Sequence, residues 1–426
     1  MNVIAQIRRF NAGREPERLQ LKYRAMRKSA FAFLRGSCHL FYARLPRGGV
    51  FESAPPVWIC GDLHLENFGS YSADNHLAYF DVNDFDESVL APASWDLVRF
   101  LTSVIIGLDG MGAGAKASQR LCAVFVEAYA AALASGKANW VERDTSEGLI
   151  RDLLGHVRDR QRASFLDSRT VSKGRLRSLR VDNGKALPAL DAERAMVNEF
   201  MHGFAKAQAD PKFFEPIDVA RRVAGTGSLG VERYVVLVRG EGTPDGNHLL
   251  DLKLALPSAL AGLAKLVQPR WKSQAERIVG IQRRAQAMPM ALLQAVTMAD
   301  RAFVLRALQP SEDKVDLQRA TADELEAVIG SMGRIVAWAH LRGTGRNGSA
   351  IADDLIAFAG RKKWKAELLA AAQAAAAQVR ADAAVFDAAF DAGQFDTAPA
   401  AAAAPAPGKT KAEPEIKRKR GIKRKR

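Results

Sequence analysis

Gly225-Thr226-Gly227-Ser228-Leu229-Gly230 restricts the fold of this chain more than any other segment, because the residues on its C-terminal side exclude the fold its glycines first suggest. As a bare pattern it matches the dinucleotide fingerprint of Rossmann folds, which requires a strand before the glycines and a helix after them. The second requirement fails. Arg233-Tyr234-Val235-Val236-Leu237-Val238 is a β-branched and aromatic run suited to a pleated, half-buried surface. The turn signal Thr243-Pro244-Asp245-Gly246-Asn247 comes next, and then Leu249-Leu250-Asp251-Leu252-Lys253-Leu254-Ala255. The predicted order is strand, glycine loop, strand, turn, strand, with Lys253 on the third strand. Glycines in such a loop permit close approach of the backbone to a ligand; the plain alternative is an ordinary glycine-containing hairpin.

A second polar constellation precedes this hairpin. Val57-Trp58-Ile59-Cys60 reads as a buried strand that ends in Gly61-Asp62-Leu63-His64-Leu65-Glu66-Asn67. Leu77-Ala78-Tyr79-Phe80 reads as another, ending near Asn83-Asp84-Phe85-Asp86. Asn67 follows Asp62 by five residues and Asp84 follows it by 22. Phosphoryl transfer needs positioning and charge neutralisation more than covalent chemistry, and kinases supply these with a catalytic-loop Asp, an Asn five residues on and a magnesium-binding Asp in an Asp-Phe-Gly type turn. By that logic Asp62 takes the acceptor hydroxyl proton, and Asn67 and Asp84 hold Mg2+. Lys253 then meets the α- and β-phosphates of ATP, beneath the N–H groups around Gly225, Gly227 and Gly230. Asp81 and Asp86 are nearby substitutes for Asp84, which is preferred because its turn directly follows the apolar strand. A metallophosphoesterase, suggested by Asp62-Leu63-His64 and Gly246-Asn247-His248, lacks a second Gly-Asp motif and close histidine pairs.

The same residues, with Ser29 to Gly36, Trp95-Asp96-Leu97 and the helix ending Ala337-Trp338-Ala339-His340, resemble the bacterial family of unknown function DUF2252. The resemblance spans most of the chain and implies a fold of the protein-kinase-like and aminoglycoside-phosphotransferase-like group. His64 stands where phosphotransferases acting on small molecules often carry His, which implies a non-protein acceptor. Asp96, near the start of a predicted helix, would brace the catalytic-loop backbone; otherwise it is a dipole-favourable first-turn acid. One departure is visible: members often read Lys-Glu-Ala after the third strand, whereas Leu254 follows Lys253 here. Glu276, on a predicted helix Gln274–Ile281, is the acid selected by position to pair with Lys253. In related kinases the helix ending at His340 precedes the catalytic loop, so the chain reads as circularly permuted.

The expected fold class is therefore α+β, a two-lobed kinase-like fold in permuted order with a small antiparallel sheet lobe and a large helical lobe. Residues 1–396 form the kinase-like domain, with 1–210 and 311–396 in the large lobe and 215–310 in the nucleotide-covering lobe. Helices are predicted near 117–135, 145–166, 190–208 and 362–392. Phe303 to Leu308 is a strand leading to a linker that borders the nucleotide base, and Thr321-Ala322-Asp323-Glu324 is a capping box.

At 426 residues and 48% hydrophobic composition the chain can bury a large core. Cys38, Cys60 and Cys122 are odd in number and widely spaced, which fits a reducing cytoplasm better than a disulfide framework. No stretch reaches the ~20 apolar residues of a membrane helix, and the N-terminus has no signal-peptide pattern. Net charge is +15, and much of it lies past residue 397, in Lys409, Lys411, Lys417 to Arg420 and Lys423 to Arg426. The Ala/Pro-rich stretch before these residues cannot bury enough apolar surface to order itself, so 397–426 reads as a disordered linker and basic tail. Such a tail suits non-specific attachment to nucleic acid or another polyanion, or is simply solvated. The functional expectation is an ATP- and magnesium-dependent phosphotransferase acting on a small-molecule hydroxyl acceptor. The alternative is a catalytically inactive kinase-like nucleotide-binding scaffold with a polyanion-binding tail.

Overall fold

The computed structural model describes residues 2–174 and 176–396, so the expected linker and basic tail lie outside the described residues. The chain is mixed α+β. It opens with five short helices, α1 (Val3–Phe10), α2 (Pro16–Met26), α3 (Ala30–Gly36), α4 (Cys38–Ala43) and α5 (Val50–Ser53). Asn2 and Ser29 cap α1 and α3 by accepting the N–H groups of Ala5 and Ala32, and Pro16 sits in the first turn of α2, where its missing N–H costs nothing.

Strands β1 (Pro56–Ile59), β2 (Phe68–Ser72), β3 (Ala78–Val82) and β4 (Val89–Pro92) come after them. β1 pairs antiparallel with β4, and β2 with β3. This nested pairing brings the loop after β1 and the loop after β3 to the same place. Helices α6 (Ser94–Gly110), α7 (Ala115–Ala134), α8 (Gly148–Arg158) and α9 (Arg162–Asp167) come next. The single helix expected over 145–166 is thus two, interrupted near Asp159.

A six-stranded antiparallel sheet has the order β11-β12-β10-β9-β8-β7, where β7 is Ala186–Pro188, β8 Pro216–Arg222, β9 Arg233–Gly242, β10 Gly246–Leu254, β11 Gln294–Met298 and β12 Arg301–Leu308. A separate hairpin, β5 (Thr170–Lys173) with β6 (Leu176–Leu179), lies beside it. The predicted strand, glycine loop, strand, turn, strand order is present as β8 to β10. β7, which precedes the expected boundary at residue 215, pairs with β8 in the same sheet.

One sheet face, with Tyr234, Val236, Leu250, Leu252, Phe303 and Leu305, packs on Val197 and Met201 of α10 (Asp191–Lys206). The other face points toward the helical part. Period-2 alternation assigns Lys253, Asp251, Arg233 and Arg306 to that second face, consistent with the register Lys253 opposite Arg233 and Asp251 opposite Arg306.

The remaining helices are α11 (Gln274–Ala285), α12 (Ala322–Arg342), α13 (Ala352–Ala359) and α14 (Trp364–Asp391). The predicted capping box at Thr321 opens α12, with Thr321 and Glu324 bonding each other's backbone N–H. α12 packs along α7 and α14 along α6, which makes the long Ala-rich helix a packing element with Ala372, Ala376 and Phe386 buried. Among the described residues no helix is long and apolar enough to cross a membrane.

Candidate functional site

The loop after β1 is held from below by Asp96 in the first turn of α6. Its carboxylate accepts the N–H groups of Cys60 (2.9 Å) and Gly61 (3.0 Å), so the bracing geometry expected of Asp96 is present. Gly61 adopts φ +84°, and a Cβ there would stand 2.2 Å from the carbonyl oxygen of Glu87. Only glycine fits this turn, which sets Asp62 against the second loop.

Asp62 Oδ1 accepts two bonds from the guanidinium of Arg99, from Nε at 2.8 Å and from Nη2. Arg99 is fully buried and also donates to the carbonyl of Leu34 at 2.9 Å. Burial raises the Asp62 carboxyl above its ordinary value; Arg99 opposes this and Asp84 adds to it. Oδ2 is the oxygen turned toward the glycine loop, 3.9 Å from where a Cβ on Gly227 would be.

Asn67 ties the two loops together. Its Nδ2 donates to the carbonyls of Asp62 (3.0 Å) and Asp84 (3.3 Å), and its Oδ1 accepts the N–H of Asp84 at 2.9 Å. One lone pair of Oδ1 is left for any further ligand. His64 is buried, and its Nδ1 accepts the N–H of Glu66 at 3.2 Å. Burial, with Arg35 and Arg99 nearby, holds its pKa well below the usual value, so a neutral ring shapes the loop.

Asp84 is exposed on the cleft floor. Desolvation pushes its carboxyl up, but Lys253, the Asp86 N–H, Arg233 and Arg306 outweigh it, leaving the pKa below the ordinary value. Lys253 Nζ donates to Asp86 Oδ2 and, at 2.7 Å, to Ser228 Oγ. The acid that pairs with Lys253 is therefore Asp86, and Glu276 does not meet it. Glu276 borders a separate depression with Trp271 and Arg283. Successive helical residues point about 100° apart, and α11 turns Arg277 to the loop instead, donating to the carbonyls of Ser88 (2.6 Å), Asp86 (2.9 Å) and Leu256 (3.0 Å).

The glycine loop closes the cleft from above. Gly225 and Gly230 have φ of +73° and +84°, and a Cβ on Gly227 would stand 3.2 Å from the carbonyl of Arg35. Helix α2 and the turn before it hold the loop by its carbonyls. Arg14 donates to Gly227 (2.7 Å) and Leu229 (3.0 Å), and the fully buried Lys22 donates to Gly227 at 3.0 Å. The N–H groups of Thr226 and Gly227 make no hydrogen bond among the described residues. Asp62, Asp84, Lys253 and the loop enclose a cavity of about 240 Å³. Sequence reasoning missed Arg14, Lys22 and Arg99; of these, Arg99 alone carried a local signal, lying one turn after Asp96 on the same helix face.

Glu87 lines the same cavity. Its Oε2 accepts the N–H of Ala259 at 2.6 Å, and burial beside Asp62 and Asp86 pushes its carboxyl up to about 7. Between the unfolded value of ~4.3 and 7 the folded chain then holds a proton that the unfolded chain releases, so this group makes stability fall as pH rises through that window. Glu87→Gln is expected to flatten that slope in denaturant titrations between these pH values; an unchanged slope would assign it to other groups.

Among the described residues no group of three or more His, Cys, Asp or Glu is placed to hold a metal ion. The chain matches the family DUF2252, described as an uncharacterized protein conserved in bacteria, over residues 14–389. It belongs to that family, and the matched span takes in every residue of the site from Arg14 to Lys253. No curated protein and no solved structure matches it.

Proposed function

We propose that this protein is an ATP- and magnesium-dependent phosphotransferase acting on a hydroxyl of a small molecule, built on a kinase-like fold in permuted order. In that reading the six-stranded sheet with α10 is the nucleotide-covering lobe, and the helices with β1 to β4 form the other lobe. The observation that carries the proposal is the meeting of Asp62, Asp84, Lys253 and the glycine loop around one cavity, although they come from separate parts of the chain.

The donor set suits Mg2+. This ion keeps several waters and binds through one or two protein oxygens plus substrate phosphates, so Asp84 with the remaining lone pair of Asn67 Oδ1 is sufficient. When bound, it would neutralise phosphate charge. The cavity is smaller than the ~300–1,000 Å³ typical of whole organic ligands and fits the phosphate end of ATP. Lys253 would leave Asp86 for a phosphate oxygen, and the unengaged N–H groups of Thr226 and Gly227 would donate to the same group. Asp62, fixed through Oδ1 by Arg99, would receive the acceptor proton on Oδ2.

Magnesium with ATP is expected to raise the thermal midpoint of the wild type, and Asp84→Ala to lose that shift while keeping its fold. A wild type with no magnesium-dependent shift would end the proposal. Binding without ATP consumption against any acceptor in a metabolite screen would instead identify the inactive scaffold.

A further inference from the structure

On the sheet face next to the cleft, three guanidinium groups share one carboxylate. Asp251, which is 1% exposed, accepts Arg233 through both oxygens, meets Arg306 Nε at 3.2 Å, and touches Arg222 Nη1. Arg306 has a second acid, Glu312, at 3.1 Å. Among the described residues Arg222 has no second acid. It is 9% exposed, and its Nη1 has no hydrogen-bond partner, because its approach to Asp251 is not aligned for one.

Arg222 lines a small cavity of about 20 Å³ together with Arg169, Arg180, Asn183 and Lys185, over an apolar floor that includes Val235 and Leu249. None of the lining residues is acidic. The Nε of Arg169 is a second buried nitrogen without a hydrogen-bond partner among the described residues. A cavity of that size seats one oxygen-sized group, and the rim residues Arg180 and Lys185 are partly or fully exposed.

We propose that this cavity is an oxyanion site, separate from the catalytic cleft, that takes a tetrahedral phosphoryl group, with one oxygen seated between Arg222 and Arg169 and the others met by Arg180 and Lys185. Planar guanidinium forks match phosphate geometry, and a dianion would complete a cluster that holds more buried positive than negative charge. Burial and the neighbouring Arg233 push Arg222 down to about 10, a cost that a bound anion relieves. The ligand is either inorganic phosphate or the phosphate of a small organic ester.

The test is titration of the full-length protein with inorganic phosphate, and separately with glycerol 3-phosphate, against chloride at constant ionic strength, read as thermal shift and calorimetric affinity. The wild type should show a phosphate-specific shift that Lys253→Met retains. Arg180→Met/Lys185→Met should weaken it by about tenfold or more, the effect of losing a hydrogen bond to a charged group. Arg222→Met should abolish it; if that variant does not fold, the rim pair still decides. Binding of either ligand with this pattern upholds the site, and the tighter of the two identifies its ligand. No phosphate-specific shift, a shift that survives the rim substitutions, or one lost in Lys253→Met overturns the proposal.

Discussion

Asp251→Ala is expected to destabilise the protein by about 3–5 kcal/mol, the range seen when one partner of a buried ion pair is removed. Three guanidinium groups converge on this carboxylate, so its loss leaves Arg233 and Arg222 without an acid of their own. Burial alone would raise the Asp251 pKa, yet Arg222, Arg233 and Arg306 hold it well below the ordinary value. A depressed carboxylate contributes stability that is present above its unfolded pKa of ~3.9 and is lost as pH falls through the lower folded value. The difference between wild type and variant should therefore be constant at neutral pH and shrink only below ~4. Urea midpoints at several pH values, with the slope of unfolding free energy on denaturant unchanged, would measure it. A variant as stable as the wild type at pH 7 would show that the cluster is solvated and not buried.

On the phosphotransferase proposal, Asp62→Asn is expected to lower turnover by roughly 10²–10⁴-fold, the contribution typical of a positioned general base. Turnover would be read as magnesium-dependent ATP consumption, basal or with an acceptor from a metabolite screen. Because Asn keeps an oxygen for Arg99 but not the charge, the variant should also be less stable, and rates must be taken where the protein is folded. Magnesium-ATP binding should survive, since Lys253, Asp84 and the glycine loop are untouched. If stability falls and turnover per folded molecule does not, Asp62 is only the counter-ion of Arg99.

What the sequence disclosed was whatever depends on neighbours along the chain. The failed Rossmann condition after Gly230 predicted the hairpin that carries Lys253, and the strand ends before Asp62 and Asp84 lie within a residue or two of their expected places. Asp96 was legible because it stands in the first turn of a helix. The partner of Lys253 was not. Choosing Glu276 required knowing the rotation of α11, and one helical step puts Arg277 at the cleft loop instead. The β5–β6 hairpin and the three-residue β7 were missed because strands so short carry little periodic signal. Arg14 and Lys22 reach the glycine loop from more than 200 residues away, a contact that no local pattern encodes.

The grip of the N-terminal segment on the glycine loop sets a division of labour along the loop backbone. Arg14 and Lys22 occupy the carbonyl oxygens of Gly227 and Leu229, while the N–H groups of Thr226 and Gly227 stay without a hydrogen bond among the described residues. The cleft roof is thus tied to α2 and the turn before it as well as to the sheet from which the loop springs. Fraying of that N-terminal segment would slacken the roof while leaving the floor, cross-tied by Asn67, in place.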